Sequence, residues 1–319
     1  VVILIVAVWW VGWPREAKPE ALRPMMAFLG SLGLYLFLFN GLTSADTFFL
    51  KRLSAEWFLH HGATFDVAAT LSDEQVGGYR AVQNLARLPY QLMIAATFVV
   101  FPLISRATFL KDVERRRSYV RTTLRYSLIV AGAMGTVLAA NPGPVLDLPY
   151  TSDYAAQGAA ALIPLALGHV AFVIFAVGGT ILNAAGRTRD TIVLTGVLLA
   201  VLAGSLYVAI PMSAPGSDML LACGSATGGA MLLGALGVGV LLYRRLGAFV
   251  PWLTAVRVVL AAGVTLFVGR VIPATRPLAT LAELAVCGLI FLAALVASGE
   301  LGKADLAAIA SIGRKKRAA

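Results

Sequence analysis

The sequence predicts an all-α, polytopic transmembrane helix bundle, and three observations predict it. First, the 319 residues are 59% hydrophobic and only 13% charged, whereas soluble domains carry about 45–50% apolar and about 25% charged residues. Second, the apolar runs are long and uncharged rather than alternating, which selects helices over barrel strands. Third, basic residues crowd into every second connection between those runs. A mean hydropathy of +0.83 leaves no water-facing surface to build, so soluble domains are excluded. Disulfide-stapled extracellular scaffolds are excluded as well. Cys223 and Cys287 both sit inside apolar runs, where they read as small core residues.

A span needs about 20 apolar residues to cross about 30 Å of hydrocarbon. The chain opens without Met inside an apolar run, Val1 to Val11, and Trp9, Trp10, Trp13, Pro14 and Arg15 then mark an interfacial helix end. Residues 1–14 therefore read as the end of a truncated transmembrane helix, with an N-terminal portion expected before it, and 15–24 as a cytoplasmic loop. Eight further spans are expected near 25–50, 76–105, 122–140, 155–185, 191–211, 218–243, 250–270 and 278–298. The connections are short, with one sizeable outer loop at 54–75, so consecutive helices should be antiparallel neighbours. A basic tail, 299–319, closes the chain.

Most of the 26 Lys and Arg lie on one side of this arrangement. They cluster at Arg15–Arg23, Arg106–Arg125, Arg187–Arg189, Arg244–Arg257 and Lys303–Arg317, while 141–154 and 211–218 hold none. The positive-inside bias makes the rich side, and with it the C-terminus, cytoplasmic. The net charge of +10 follows from the same distribution. It coats the inner rim of a bundle, where Arg115–Arg117 and Arg314–Arg317 would meet anionic lipid headgroups, rather than forming a nucleic-acid surface.

Three stretches carry a resemblance. Leu42-Thr-Ser-Ala-Asp-Thr-Phe-Phe-Leu-Lys-Arg-Leu53 is a polar knot at the outer end of a span. Gly78-Tyr-Arg-Ala-Val-Gln-Asn-Leu-Ala-Arg-Leu-Pro-Tyr90 continues to Phe101-Pro-Leu-Ile-Ser-Arg106, and Ile181-Leu-Asn-Ala-Ala-Gly-Arg-Thr-Arg189 sits at an inner turn. Together they resemble the C-terminal lobe of polysaccharide flippases in the multidrug/oligosaccharidyl-lipid/polysaccharide (MOP) exporter superfamily. Ser44 stands where that family often has Asn two residues before the Asp. The resemblance implies two six-helix lobes around a central cavity. Residues 25–245 would be the MATE-like C-terminal lobe, 246–298 two additional transmembrane helices, and the N-terminal lobe would be a missing partner from the same protein.

Intramembrane charge is costly and marks function by default. Arg80, Asn84, Arg87 and Gln91 recur at i, i+4, i+7 and i+11, with Gln83 adjacent, on one helical face. With Val76 at the outer end, Arg87 lies roughly 17 Å deep. These four are the candidate substrate-binding residues, because arginine's planar fork makes paired hydrogen bonds to a pyrophosphate headgroup. Arg87 either faces a water-filled cavity or pairs with the absent lobe. Asp46 either pairs with Arg80 as a clip between consecutive helices or serves as a coupling-ion site. His169 reads as a core histidine, and His60, His61 and Asp66 as solvated loop residues without a metal signature. Gly224, Gly228, Gly234 and Gly239 read as helix-packing positions, and Pro89, Pro102 and Pro164 as kinks.

The expected function is export of a lipid-linked oligosaccharide or polysaccharide precursor across the bacterial cytoplasmic membrane by alternating access. No catalytic residue, metal or cofactor is expected, and membrane lipids are the other partner. A multidrug exporter of the same superfamily is the nearest rival, although cationic drugs favour an acidic cavity and this stripe is basic. A membrane-embedded polysaccharide polymerase or ligase would need its catalytic residues in the loop at 54–75.

Overall fold

The long apolar runs fold as helices in the computed structural model, which describes residues 22–150, 152–272, 277–302 and 305. Ten helices occur among them: α1 (Leu22–His60), α2 (Phe65–Ala86), α3 (Leu88–Phe109), α4 (Val113–Ala140), α5 (Pro142–Asp147), α6 (Ser152–Ala184), α7 (Thr188–Ala209), α8 (Ser217–Leu246), α9 (Trp252–Gly269) and α10 (Pro277–Ala297). No strand is present among the described residues, so the all-α helical bundle holds. Seven helices, α3, α4 and α6 through α10, are long and apolar enough to cross a membrane. The truncated span expected at 1–14 and most of the basic tail lie outside the described residues.

Three expectations are corrected. The single span at 76–105 is two helices, α2 and α3, that meet at Arg87. Pro89 causes the break: it has no N–H to offer the Leu85 carbonyl, and its ring crowds that carbonyl. Second, the outer loop at 54–75 is a helical hairpin. α1 continues to His60, α2 starts at Phe65, and only 61–64 turn the chain. Asp73 bridges to Lys51 (2.7 Å) and Glu56 to Arg52 (3.0 Å), so these two carboxylates of the expected loop stand on solvated helix faces. Third, the outer connection after α4 contains the short helix α5.

α1 lies alongside α7 along its length. A Cβ on Gly41 would meet Leu199 at 3.6 Å and one on Gly196 would meet Leu38 at 3.9 Å, while Trp57 and Pro211 line one cleft near the outer end. The core centres on α6, whose Leu162, Leu165, Phe172 and Phe175 are almost wholly buried. α6 and α8 touch backbone to backbone. A Cβ on Gly228 would come within 2.4 Å of the Pro164 carbonyl, and one on Gly168 within 2.4 Å of Gly228 Cα. Small residues permit this approach, and van der Waals packing at short range holds helices together where lipid supplies no hydrophobic drive. A Cβ on Gly224, Gly234 or Gly239 would meet Ala161 at 3.1 Å, Leu198 at 2.6 Å or Phe249 at 2.7 Å.

Cross-helix bonds sort the connections into two ends. At one end Arg245 pairs with Asp190 (2.9 Å), Arg117 lies over Gly247, and Arg125 pairs with Glu300 (2.7 Å). At the other, the Gly216 N–H donates to Gln75 Oε1 (3.1 Å) and Asn141 donates to Glu283 (3.0 Å). Basic-rich connections thus share one end and basic-poor connections the other. α9 and α10 pack on α4 through a small cluster around Ile129, Val258, Phe291 and Leu295. A polar clasp fastens them at the basic end, where buried Glu300 accepts from Arg125, Thr254 and Arg257, and Asp305 also pairs with Arg125. Burial alone would raise the Glu300 carboxyl, but those three donors outweigh it and hold it below its ordinary value. Bonds from Arg125 and Tyr126 hold Asp305 well below its own.

Candidate functional site: a cationic groove over a buried carboxylate

The site is built where α1 passes the α2–α3 break. Pro89 and the register of α2 turn two faces in two directions. Tyr79 and Gln83, four residues apart, point into the core, whereas Arg80, Asn84 and Arg87 point into an open groove. The groove encloses about 720 Å³ and is lined on the α1 side by Thr43, Ser44, Thr47 and Lys51. That volume is in the range of small-molecule sites, about 300–1,000 Å³. A second cavity of about 240 Å³ continues inward from Arg87 and Thr43, past Gln91, to His169 and Phe172. All four residues of the predicted stripe therefore line one path. Its inner end lies mid-bundle, because His169 is at the centre of the 33-residue α6.

The electrostatics of the path are one-sided. Arg80 makes no ion pair or hydrogen bond among the described residues and is exposed to the groove. Arg87 gives one donor to the Thr43 carbonyl and keeps the rest of its fork. Asn84 donates to the Tyr150 hydroxyl at 3.2 Å. The one carboxylate on the lining, Asp73, is already bridged to Lys51.

Asp46 lies behind this wall, 1% exposed. Of the two readings of Asp46, the clip to Arg80 is absent among the described ion pairs. Asp46 Oδ2 instead accepts from the Tyr79 hydroxyl (2.9 Å) and Gln83 Nε2 (2.6 Å), and Oδ1 from the Thr47 N–H (2.7 Å). The reason is rotational: Arg80 follows Tyr79 by one residue, about 100° around the helix, and so faces the groove. The Tyr79 hydroxyl also reaches Thr227 Oγ1 on α8 (3.3 Å), so the knot ties α1, α2 and α8 together. Neutral donors satisfy a buried carboxylate as well as an arginine does in bond count.

The sequence reading singled out Asp46 but missed Tyr79 and Thr227, and gave Gln83 no partner. The available signal was a Tyr and a Gln at i, i+4 on a face otherwise made of Val82 and Ala86. His169 is buried, bonded through Nδ1 to the Leu165 carbonyl (2.8 Å), and borders the inner cavity. His61 stacks on Trp57 at 3.7 Å. No group of three His, Cys, Asp or Glu among the described residues could hold a metal ion. The stretch at 54–75 that the polymerase or ligase reading took as a loop is a helical hairpin.

No curated protein matches the chain. Residues 63–208, from the turn before α2 to the end of α7, match the family model described as MatE, a stretch that takes in the groove's α2–α3 wall and the central helix α6.

Proposed function

We propose that the chain forms one wall of the transport path for a lipid-linked oligosaccharide or polysaccharide precursor in the bacterial cytoplasmic membrane. The observation that carries this reading is the groove itself: two arginines without carboxylate partners face a path that runs from the basic-poor end to mid-bundle. A pyrophosphate-linked glycan presents the complementary chemistry. Its phosphates take the Arg80 and Arg87 forks, its sugar hydroxyls take Asn84 and Gln91, and its lipid tail stays in the bilayer. A second lobe of the kind the MOP resemblance implies closes the open side, and rocking of one lobe against the other alternates access. The basic end, with the C-terminus, faces the cytoplasm. A multidrug exporter built for cations fits this lining poorly, because Asp73 is the sole groove carboxylate and is already paired.

The test is export of a labelled glycan by the complete protein, with membrane abundance measured for every variant. Arg87→Ala abolishes export at near-normal abundance. Arg87→Lys recovers part of it, since an ammonium keeps the charge and loses the two-point contact. Full export by Arg87→Ala, or loss strictly in step with lost protein, would remove the residue from the path.

A further inference from the structure

A second crevice, of about 790 Å³, lies on the opposite, basic end between the end of α8 and the start of α9. Its shape follows from local sequence. Gly247 ends α8 in the left-handed conformation (φ +69°), under the Arg117 guanidinium, whose Nη2 would lie 2.7 Å from any Cβ there. The chain then runs without regular structure to Pro251, and the Phe249 ring folds back onto Gly239, two turns up α8. These contacts hold the crevice open from the connection up along the lipid-facing side of α8.

The lining is amphipathic in a specific order. Arg121 and Arg244 stand at the mouth, both exposed, and neither has a carboxylate within ion-pair distance among the described residues. Their neighbours differ: Arg115, Arg117 and Arg245 pair with Asp112, Glu114 and Asp190. No acidic residue among the described residues lines the crevice. Tyr243 and Trp252, 70% and 72% exposed, line the same crevice, and the exposed Val240 stands one turn back along α8 from Arg244. Exposed aromatic rings at the end of a spanning helix are typical of the headgroup level of a membrane interface. A soluble anion would neutralise the arginines and leave the apolar wall bare, and a zwitterionic lipid would cover the wall and leave net positive charge unmatched.

We propose that this crevice is a binding site for one anionic glycerophospholipid, its phosphate held between Arg121 and Arg244 and an acyl chain laid along Val240 beneath Trp252. The lipid fills the seam between the α1–α8 helices and α9, so it acts as a structural ligand at the basic face. This assignment is independent of what the groove transports.

Trp252 supplies the readout. With Trp252 as the sole tryptophan of the complete protein, vesicles of phosphatidylcholine are doped with acyl-brominated phosphatidylglycerol or acyl-brominated phosphatidylcholine, and quenching gives the relative association of each. Each arginine near an anionic surface strengthens attraction about five-fold, so phosphatidylglycerol is preferred by at least about five-fold. The Arg121→Gln, Arg244→Gln double variant brings the preference close to one while quenching by the brominated zwitterionic lipid is unchanged, which shows that the crevice is intact. Arg115→Gln, on the same rim but already paired, leaves the preference in place, and excess inorganic phosphate does not displace the lipid. Equal quenching by both lipids overturns the proposal. So does a preference that survives the double variant, one that Arg115→Gln lowers equally, or displacement by phosphate.

Discussion

Removing the Tyr79 hydroxyl separates the observed knot from the ion pair that charge matching suggests. Tyr79 is wholly buried, and its hydroxyl bonds Asp46 at 2.9 Å and Thr227 at 3.3 Å. Interhelical side-chain bonds in membrane proteins average about 0.6 kcal/mol and reach about 1.7 kcal/mol. Tyr79→Phe therefore costs about 1–3 kcal/mol, the upper part applying because Asp46 and Thr227 each lose a partner in a water-free site. Arg80→Ala removes a side chain without a partner and stays within about 0.5 kcal/mol. In the Asp46→Ala background the Tyr79→Phe cost shrinks, because only the longer bond to Thr227 remains, giving a coupling of about 0.6–1.7 kcal/mol. Reversible unfolding in bicelles measures all of these. If Arg80→Ala cost as much as Tyr79→Phe and coupled to Asp46, the direct ion pair would be real and the knot described above would be wrong.

Gly228→Ala places a methyl 2.4 Å from the Pro164 carbonyl, a backbone atom that cannot swing aside; the variant loses about 1–3 kcal/mol in the same unfolding assay. Glu283→Leu strands the Asn141 amide that now donates to it (3.0 Å) and costs about 1–3 kcal/mol, whereas the double variant Glu283→Leu, Asn141→Leu is near neutral, read as thermal stability in detergent. The clasp at the basic end depends on pH. Glu300 and Asp305 have folded pKa values below their ordinary ones, so their contribution is present above pH about 4 and fades as pH falls through the lower folded values; hydrogen-exchange protection at residues 298–302, taken relative to the intrinsic amide rate at each pH, falls on acidification below that point and does not change between pH 6 and 8. A cysteine at Ser152, in a background without Cys223 and Cys287, reacts with an impermeant thiol reagent from outside intact cells, and one at Ser118 does not.

How much of this was legible in the sequence depended on whether a feature was set by one helix or by two. The later spans and the small-residue positions of α8 are properties of a single helix and its period, and the fold keeps them. The stripe of Arg80, Asn84, Arg87 and Gln91 is divided, with Arg80 and Asn84 on α2, Arg87 at the break and Gln91 on α3, and the residues line two adjoining cavities. The partner of Asp46 is a property of two helices. Charge matching chose Arg80 because opposite charges attract most strongly where water is scarce. Yet a helix turns about 100° per residue, so Arg80 and Tyr79 cannot both face α1. The core side went to Tyr79, whose ring also fills space against α8, while Arg80 kept its solvation in the groove. The hairpin at 54–75 failed for a related reason. The carboxylates Glu56, Asp73 and Glu74 looked like loop polarity, but helix faces that leave the apolar layer carry the same residues: Asp73 pairs across the hairpin with Lys51, and Glu56 along α1 with Arg52. One consequence binds the two cases together. Because Asp46 takes its hydrogen bonds from neutral side chains, Arg80 and Arg87 remain free of carboxylates, and the groove keeps the positive lining that an anionic headgroup needs.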